Sequence, residues 1–181
     1  HDAPKAEKIK KVRALIDFRD LVLKPHQNEA GLRHAEQCID LGGIGKGFAG
    51  DRCIEILRKY GIHEACINIG GSVSVLGSKP NGSPWRVGIR HPRQKGQLLG
   101  AVDVVDKAVV TSGDDERCFF DKKGKRWHHI LNPATGYPAD AGLASVTVVA
   151  DSAMEADALS TAIFVAGKEK GLEYLSHFPG S

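Results

Sequence analysis

The sequence predicts an α+β fold, in which a mixed or antiparallel β-sheet core carries flanking helices. Three observations predict this fold class. Between residues 65 and 150, short apolar or alternating segments follow one another, separated by turn residues, which is the pattern of consecutive strands. Helical periodicity occurs before and after this run. Strands and helices that are segregated along the chain indicate α+β rather than alternating α/β architecture.

Composition predicts one globular domain. The chain has 181 residues, of which 41% are hydrophobic and 26% charged. We therefore expect residues 1–181 to form a single domain around one core. The net charge of +3 is too small and too dispersed to indicate a nucleic-acid partner. Apolar runs stay well short of the ~18–20 residues of a membrane span, and no signal peptide is recognisable at the start.

Five elements are predicted before the run of strands. They are a helix (residues 4–16), a strand (20–24), a polar loop (25–34), a strand (38–41) and a helix (about 48–60). The first helix follows from apolar residues on one face after Pro4. The last ends at Gly61, because glycine is a typical helix stop.

The middle and the end of the chain complete the pattern. Predicted strands cover residues 65–69, 73–76, 85–89, 101–105, 108–111, 118–120, 127–131 and 145–150. Two helices close the chain, at about 153–166 and 168–176, and Gly167 separates them. Ser152 with Glu155 three residues later is a capping box, which predicts where the first of these helices begins.

The cysteines do not indicate a metal or disulfide framework. Cys38, Cys53, Cys66 and Cys118 contain no C-x-x-C pair and match no zinc-binding spacing. We expect them to be buried structural thiols.

The densest glycine segment lies between a predicted strand and a predicted helix, in Asp40–Arg52. Free backbone N–H groups at a helix N-terminus bind phosphate well, and Lys46 adds a positive charge. Gly45-x-Gly47-x-x-Gly50 also matches the dinucleotide fingerprint, but no acidic residue ends the following strand. A Rossmann oxidoreductase is therefore disfavoured. A tight connection without a ligand stays open as the simpler interpretation.

Three further segments are candidates for binding or catalysis. Gly70-Gly71 would let a ring or phosphate approach the backbone, although glycine pairs are also common in plain turns. Thr111-Ser112-Gly113 precedes a cluster of acidic residues, which a solvated turn would also explain. His128-His129 ends a hairpin strand, where only one of the two can face a given site. A surface histidine is the alternative for either.

Asp157 and Thr161 are the candidate metal ligands. They lie four residues apart on one face of a predicted helix whose other residues are small or apolar, so the carboxylate is predicted to be buried. A buried carboxylate needs a compensating partner. A carboxylate with a hydroxyl suits Mg²⁺ better than zinc. The alternative is an aspartate bonded to neighbouring backbone N–H groups.

Taken together, these segments resemble the FAD:protein FMN transferase family, also called the ApbE family, from about residue 4 to 178. The matching motifs, in order, are Asp40-Leu41-Gly42-Gly43-Ile44-Gly45-Lys46-Gly47, Asn68-Ile69-Gly70-Gly71-Ser72, Trp85-Arg86-Val87-Gly88-Ile89 with His91-Pro92-Arg93, Thr111-Ser112-Gly113, His129-Ile130-Leu131-Asn132-Pro133 with Thr135-Gly136, and Ala156-Asp157-Ala158-Leu159-Ser160-Thr161-Ala162. Family members usually carry Ala where Gly45 stands. They are also longer, so the resemblance implies an ApbE-like (T-fold-like) domain corresponding to the C-terminal two-thirds of the family's full length, without the N-terminal portion.

The resemblance also implies an activity and a set of roles. The activity is Mg²⁺-dependent transfer of FMN from FAD onto a Ser or Thr hydroxyl of an acceptor protein, with release of AMP. The implied metal ligands are Asp157, Thr161 and the Gly43 carbonyl, the implied cofactor contacts are Gly43, Lys46, Gly70, Gly71, Thr111, Ser112 and Gly113, and the implied catalytic residues are His129 and Asp157. His128 stays an alternative to His129.

Two other functions and two compartments stay open. The same site could use water, as a Mg²⁺-dependent FAD pyrophosphatase that yields FMN and AMP. A domain without the N-terminal portion could instead bind flavin without catalysis. The resemblance implies either the periplasmic face of the bacterial inner membrane or the cytoplasm.

Overall fold

A computed structural model describes residues 4–181, and within them it contains four α-helices and twelve strands. The helices are α1 (Ala6–Arg13), α2 (Gly45–Lys59), α3 (Ala153–Ala166) and α4 (Lys168–Ser176). The strands are β1 (Leu21–Lys24), β2 (Glu29–Leu32), β3 (Ala65–Ile69), β4 (Ser72–Leu76), β5 (Trp85–Arg90), β6 (Leu98–Val104), β7 (Ala108–Gly113), β8 (Cys118–Phe120), β9 (Arg126–His128), β10 (Leu131–Asn132), β11 (Tyr137–Pro138) and β12 (Ser145–Ala150).

The predicted α+β fold is confirmed. The central sheet has the strand order β12-β7-β4-β3, and all its neighbours are antiparallel. The other strands pair as antiparallel two-stranded ribbons, β1–β2, β5–β6, β8–β9 and β10–β11. None of the helices in residues 4–181 has the length and apolar character needed to cross a bilayer.

Strand β7 is covered on both faces over most of its length, and its side chains alternate between two layers. Ala108 and Val110 pack against α3, in a cluster that includes Leu159 and Ile163. Val109 points the other way and packs under the β5–β6 ribbon. Because side chains alternate along a strand, Ser112 lies on the α3 side and Thr111 on the ribbon side. This alternation determines which of the predicted site residues can meet.

Helices α2 and α3 pack closely enough to require glycine. A Cβ atom on Gly47 would lie 2.2 Å from the backbone carbonyl oxygen of Ala153 in α3. One on Gly50 would lie 3.4 Å from Cβ of Ala153 and 2.7 Å from the Ser74 hydroxyl oxygen of β4. Helix α2 also caps the N-terminus of α3, because Asp51 of α2 accepts the Ala153 N–H at 2.7 Å. Ser152 accepts the Glu155 N–H at 3.2 Å, which is one of the two bonds of the predicted capping box, while the Glu155 carboxylate accepts the Ser181 hydroxyl at 2.7 Å.

Three predictions for the first half of the chain are wrong. The polar loop at 25–34 contains β2, which pairs with β1 across a turn where Asn28 has φ of 52°. Residues 38–41 do not form a strand, because this segment is bonded locally, as where Asp40 accepts the Gly42 N–H. Helix α2 begins at Gly45 rather than at residue 48, so part of the glycine segment is helical.

Two smaller predictions also need correction. The strand predicted at 127–131 ends at His128, and Leu131 begins a separate short strand that pairs with β11. The cysteines are free, as expected, but they are not buried: Cys38 and Cys66 are exposed and the other two are half-buried. Cys66 is exposed because it lies at an outward position of β3, whose residues alternate between half-buried and exposed.

Candidate functional site

Asp157 is the buried carboxylate that the sequence predicts, with 1% of its surface exposed. Its Oδ2 accepts the N–H of Gly47 at 3.0 Å, and its Oδ1 lies 3.4 Å from the Lys46 ammonium nitrogen. Both partners belong to the first turn of α2, where the N-cap residue Ile44 makes no side-chain hydrogen bond. The carboxylate on α3 therefore occupies the positive end of the α2 dipole and is compensated by a lysine charge.

Thr161 lies one turn further along α3, in a chain of hydroxyl groups. Its Oγ1 is 2.9 Å from the Ser112 hydroxyl oxygen, which is also 2.9 Å from the Ser160 hydroxyl oxygen. Gly43 is next to Thr161, since a Cβ atom on it would lie 3.8 Å from Oγ1. Helix α3, β7, the segment before α2 and the first turn of α2 thus bring five of the predicted residues together. We call Gly43, Lys46, Ser112, Asp157 and Thr161 the oxygen cluster.

A cavity of about 770 Å³ lies beside the oxygen cluster. Gly43 and Thr161 line it, together with Asn132 and Pro133 from the segment after His129 and the small residue Ala162 of α3. Three motifs that are far apart in the sequence therefore share one cavity wall. The volume lies within the ~300–1,000 Å³ of small-molecule sites.

Three of the residues predicted to contact the cofactor line a different cleft. Gly71, Thr111 and Gly113 line a narrow space of about 40 Å³ together with Arg90 and Glu116. Thr111 does not join the oxygen cluster, because its hydroxyl oxygen pairs with that of Thr147 at 2.8 Å. The Thr111-Ser112-Gly113 motif is therefore divided between the two faces of the sheet.

The Gly70-Gly71 turn lies between the oxygen cluster and the narrow cleft. Both glycines have positive φ, 57° and 95°, which few other residues adopt. A Cβ atom on Gly70 would lie 3.6 Å from Cδ of Lys46, and one on Gly71 would lie 4.0 Å from Oε1 of Glu116. The turn therefore lies between the stem of the Lys46 side chain and the ion pair of Arg90 with Glu116.

His129 is outside the oxygen cluster. It is exposed, and it lies just after β9 beside Glu116 and Arg117. Partial desolvation lowers its pKa from the ordinary 6.5; the charges of Arg117 and His128 act in the same direction, and a hydrogen bond to the Glu116 backbone opposes them. The imidazole is therefore neutral at pH 7.

His128, the alternative to His129, is held in the interior. Its Nε2 lies 3.0 Å from the carbonyl oxygen of Ala139, and its ring packs edge-on against Phe164 with 5.6 Å between the ring centres. Its Nδ1 is buried without a hydrogen-bond partner among residues 4–181. These contacts favour a packing role for His128 and leave His129 as the accessible histidine of the pair.

Asp114 has a role that the sequence did not predict. The segment from Asp114 to Arg117 is compatible with a solvated turn by sequence, but Asp114 is only 9% exposed. Both terminal guanidinium nitrogens of Arg93 bond its carboxylate, one at 2.7 Å, and this bonding raises the pKa of Arg93. The partner lies 21 residues away in the chain, so no local pattern indicates the pair. The His91-Pro92-Arg93 motif was the only available signal.

The donor groups of the oxygen cluster fit a hard cation. A carboxylate, two hydroxyls and the nearby backbone of Gly43 offer oxygen atoms, which Mg²⁺ prefers. Within residues 4–181 there is no group of three or more His, Cys, Asp or Glu that could hold a metal. A magnesium ion here would therefore depend on one carboxylate and on neutral oxygens.

Sequence comparison identifies relatives with a common name. Two proteins named FAD:protein FMN transferase, from Treponema pallidum and Klebsiella pneumoniae, are each 38% identical to this chain, and the alignments cover 98% and 94% of it. Both alignments cover 52% of the relative. The chain thus spans about half the length of the curated relatives it matches.

Structural comparison gives the same result. The ApbE protein of Thermotoga maritima superposes with a TM-score of 0.89 at 36% identity, covering 98% of this chain and 58% of the other. A flavinyl transferase ApbE from Pseudomonas stutzeri gives a TM-score of 0.80 at 36% identity, covering 97% and 54%. The sequence profile of the ApbE family matches residues 1–181. With the motifs, the fold and the whole-length profile in agreement, this chain belongs to the ApbE family.

Proposed function

We propose that this chain acts in flavin transfer, as a Mg²⁺-dependent enzyme that moves FMN from FAD onto a Ser or Thr hydroxyl of an acceptor protein and releases AMP. One observation carries the proposal: the buried Asp157 carboxylate, with Lys46 beside it, lies one helical turn from Thr161, which lines a cavity of about 770 Å³. Relatives named FAD:protein FMN transferase match nearly all of this chain with about half of their own length.

Asp157, Thr161 and the carbonyl of Gly43 would hold the metal. When bound, Mg²⁺ would neutralise negative charge on the diphosphate of FAD. Ser112 supports this arrangement, because its hydroxyl bonds that of Thr161 at 2.9 Å and limits its rotation.

Lys46 would meet the phosphate groups. Its side chain is 39% exposed, so the ammonium can turn from Asp157 to a phosphate oxygen without unfolding any element. Gly70 lies next to the stem of Lys46, and the absence of a side chain there leaves room for the ligand backbone. On the other side of the turn, Gly71, Thr111 and Gly113 would contact the flavin end.

His129 would act as the general base. Its lowered pKa keeps the imidazole neutral at pH 7, so that it can accept a proton. The acceptor hydroxyl loses its proton to His129 and its oxygen bonds the FMN phosphorus, while the bond from that phosphorus to the bridging oxygen breaks. AMP leaves with that oxygen, and the reaction balances as acceptor hydroxyl plus FAD giving FMN-acceptor ester plus AMP.

The test uses the purified chain with FAD, Mg²⁺ and the acceptor flavoprotein of the Klebsiella relative. Intact-mass spectrometry should detect FMN bound to the acceptor, and chromatography should detect an equal amount of AMP. Asp157→Asn should reduce the rate on the order of 100-fold or more. The matched control is Asp140→Asn, which changes an exposed carboxylate in a loop and should leave the rate unchanged.

Three results would contradict the proposal. AMP and free FMN without an adduct would identify a pyrophosphatase. FAD binding without AMP would identify a flavin-binding module. Undiminished transfer by Asp157→Asn would remove the role of the carboxylate.

A further inference from the structure

The segment that connects β7 to β8, residues 114–117, is held by its first residue. The carboxylate of Asp114 is bonded by both terminal nitrogens of Arg93, and its carbonyl oxygen accepts a bond from Arg126 at 3.3 Å. Its N–H donates to the carbonyl oxygen of Ala144 at 3.2 Å. Asp114 therefore connects, through its hydrogen bonds, the β5–β6 loop, strand β9 and the residue before β12.

Strand register places His129 against this segment. In the β8–β9 ribbon Cys118 is opposite His128, so the next position along each chain sets Arg117 opposite His129. Glu116 then follows, and its backbone bonds the His129 ring. The position of the imidazole thus depends on where residues 114–117 lie.

Residues 114–117 do not hold this shape by local preference. Arg117 has φ of 45°, in the left-handed region that a long side chain rarely adopts. Such a conformation persists where surrounding contacts determine it. Here the contacts are the bonds of Asp114 at one end and the ion pair of Arg90 with Glu116 near the other.

We propose that Asp114 is a positioning residue for His129: its carboxylate, through Arg93, holds residues 114–117 so that the Glu116 backbone fixes the imidazole for proton transfer. The assignment rests on the proposed function for the role of His129, but the coupling of Asp114 to His129 can be measured without turnover. The charged or titratable groups that face His129 are Glu116, Arg117 and His128.

The test is Asp114→Asn, which keeps the size of the side chain and removes its charge. With FAD and acceptor, kcat should fall roughly 10- to 100-fold through misplacement of the base, while KM for FAD stays unchanged. The hydrogen bond to the Glu116 backbone raises the pKa of His129, so weakening it should move the acid limb of the kcat profile to lower pH. NMR titration of His129 in the same variant should show the same direction, and Asp114→Glu should restore part of kcat.

Asp121→Asn is the matched control. Asp121 holds the opposite end of the same ribbon, where it accepts bonds from the Trp127 indole and from the N–H groups of Lys123 and Lys125. Its replacement loosens the ribbon without contacting residues 114–117, so the pKa of His129 should stay unchanged. If Asp114→Asn does not fold, Arg93→Lys removes the two-point contact and keeps the positive charge, and should shift the titration likewise.

The outcomes separate this inference from the proposed function. An unchanged His129 titration in both Asp114→Asn and Arg93→Lys, in a chain whose wild type transfers FMN, overturns the positioning role alone. A shifted titration in a chain that shows no transfer supports the coupling and counts against the function. If Asp114→Asn and Asp121→Asn shift the pKa of His129 equally, the stability of the β8–β9 ribbon, rather than Asp114, determines that pKa, and the positioning role is overturned.

Discussion

Replacing Gly47 by alanine should destabilise the protein strongly, because this glycine is where α2 touches α3. The new Cβ would lie 2.2 Å from the carbonyl oxygen of Ala153 and 2.6 Å from Cα of Met154. Since both neighbours are backbone atoms, no side-chain rotation relieves the overlap, and the helices must separate by roughly 1 Å. Overpacking of a core typically costs about 1–3 kcal/mol, and we expect Gly47→Ala to lower the free energy of unfolding by about 3 kcal/mol. For a chain of this size that corresponds to a fall in Tm of roughly 6–12 °C.

Gly45→Ala is the matched control, two residues earlier in the same helical turn. Its Cβ would lie 3.8 Å from Cβ of Leu41, an ordinary contact, and its φ is not positive. Alanine is the better helix former, but Gly45 is the first residue of α2, so this variant should be neutral or gain up to about 0.5 kcal/mol. Thermal and urea unfolding of both variants test the pair. A loss of less than about 1 kcal/mol for Gly47→Ala, or the same sign for both variants, would refute the packing argument.

Four further predictions concern buried or titrating groups. Asp157→Ala should lose about 1–3 kcal/mol of unfolding free energy by leaving the Gly47 N–H unpaired, whereas Asp157→Asn keeps an acceptor and should stay within about 1 kcal/mol of the wild type. Ser72→Ala should be neutral or stabilising in urea unfolding, because its buried hydroxyl has no partner within residues 4–181. Since the pKa of His129 is lowered, the unfolded chain binds a proton first as pH falls below 6.5; the unfolding free energy should therefore decline below that pH, and less so in His129→Gln. The pKa of Asp17 is held at about 2, chiefly by its hydrogen bond with Arg19, and NMR of the carboxyl group in Arg19→Gln should show titration at higher pH.

The fold could be predicted where local signals agree with tertiary contacts. Helix α3 matches its predicted range of 153–166, because the Ser152 cap and Gly167 define its ends independently of packing. The prediction of a loop at residues 25–34 was wrong because this segment has no local signal that agrees with its tertiary contacts. Its strand β2 depends on pairing with β1 and has no alternation of its own, since its residues are almost all exposed.

The burial of Asp157 could be predicted from the sequence, but the arrangement of the candidate site residues could not. Small neighbours on α3 indicated that Asp157 is buried, and the four-residue spacing placed Thr161 on the same face. The sequence analysis did not separate Thr111 from Ser112, whereas the structure places their side chains on opposite sides of β7, as for any adjacent residues of a strand. Asp114 was missed because its partner, Arg93, comes from another loop.

The glycine spacing shows how a motif can arise from packing rather than from ligand binding. In Gly45-x-Gly47-x-x-Gly50, the second glycine is required by its contact with the backbone of Ala153, and the third packs against the Ser74 hydroxyl. Close approach of the helices brings the Gly47 N–H within 3.0 Å of Asp157, so a carboxylate from the protein takes the position that a phosphate takes at a dinucleotide-binding helix. A phosphate that bound there would compete with Asp157 for the same N–H. The charge of Lys46, which is free to turn outward, is therefore the part of this turn best placed to meet an external anion.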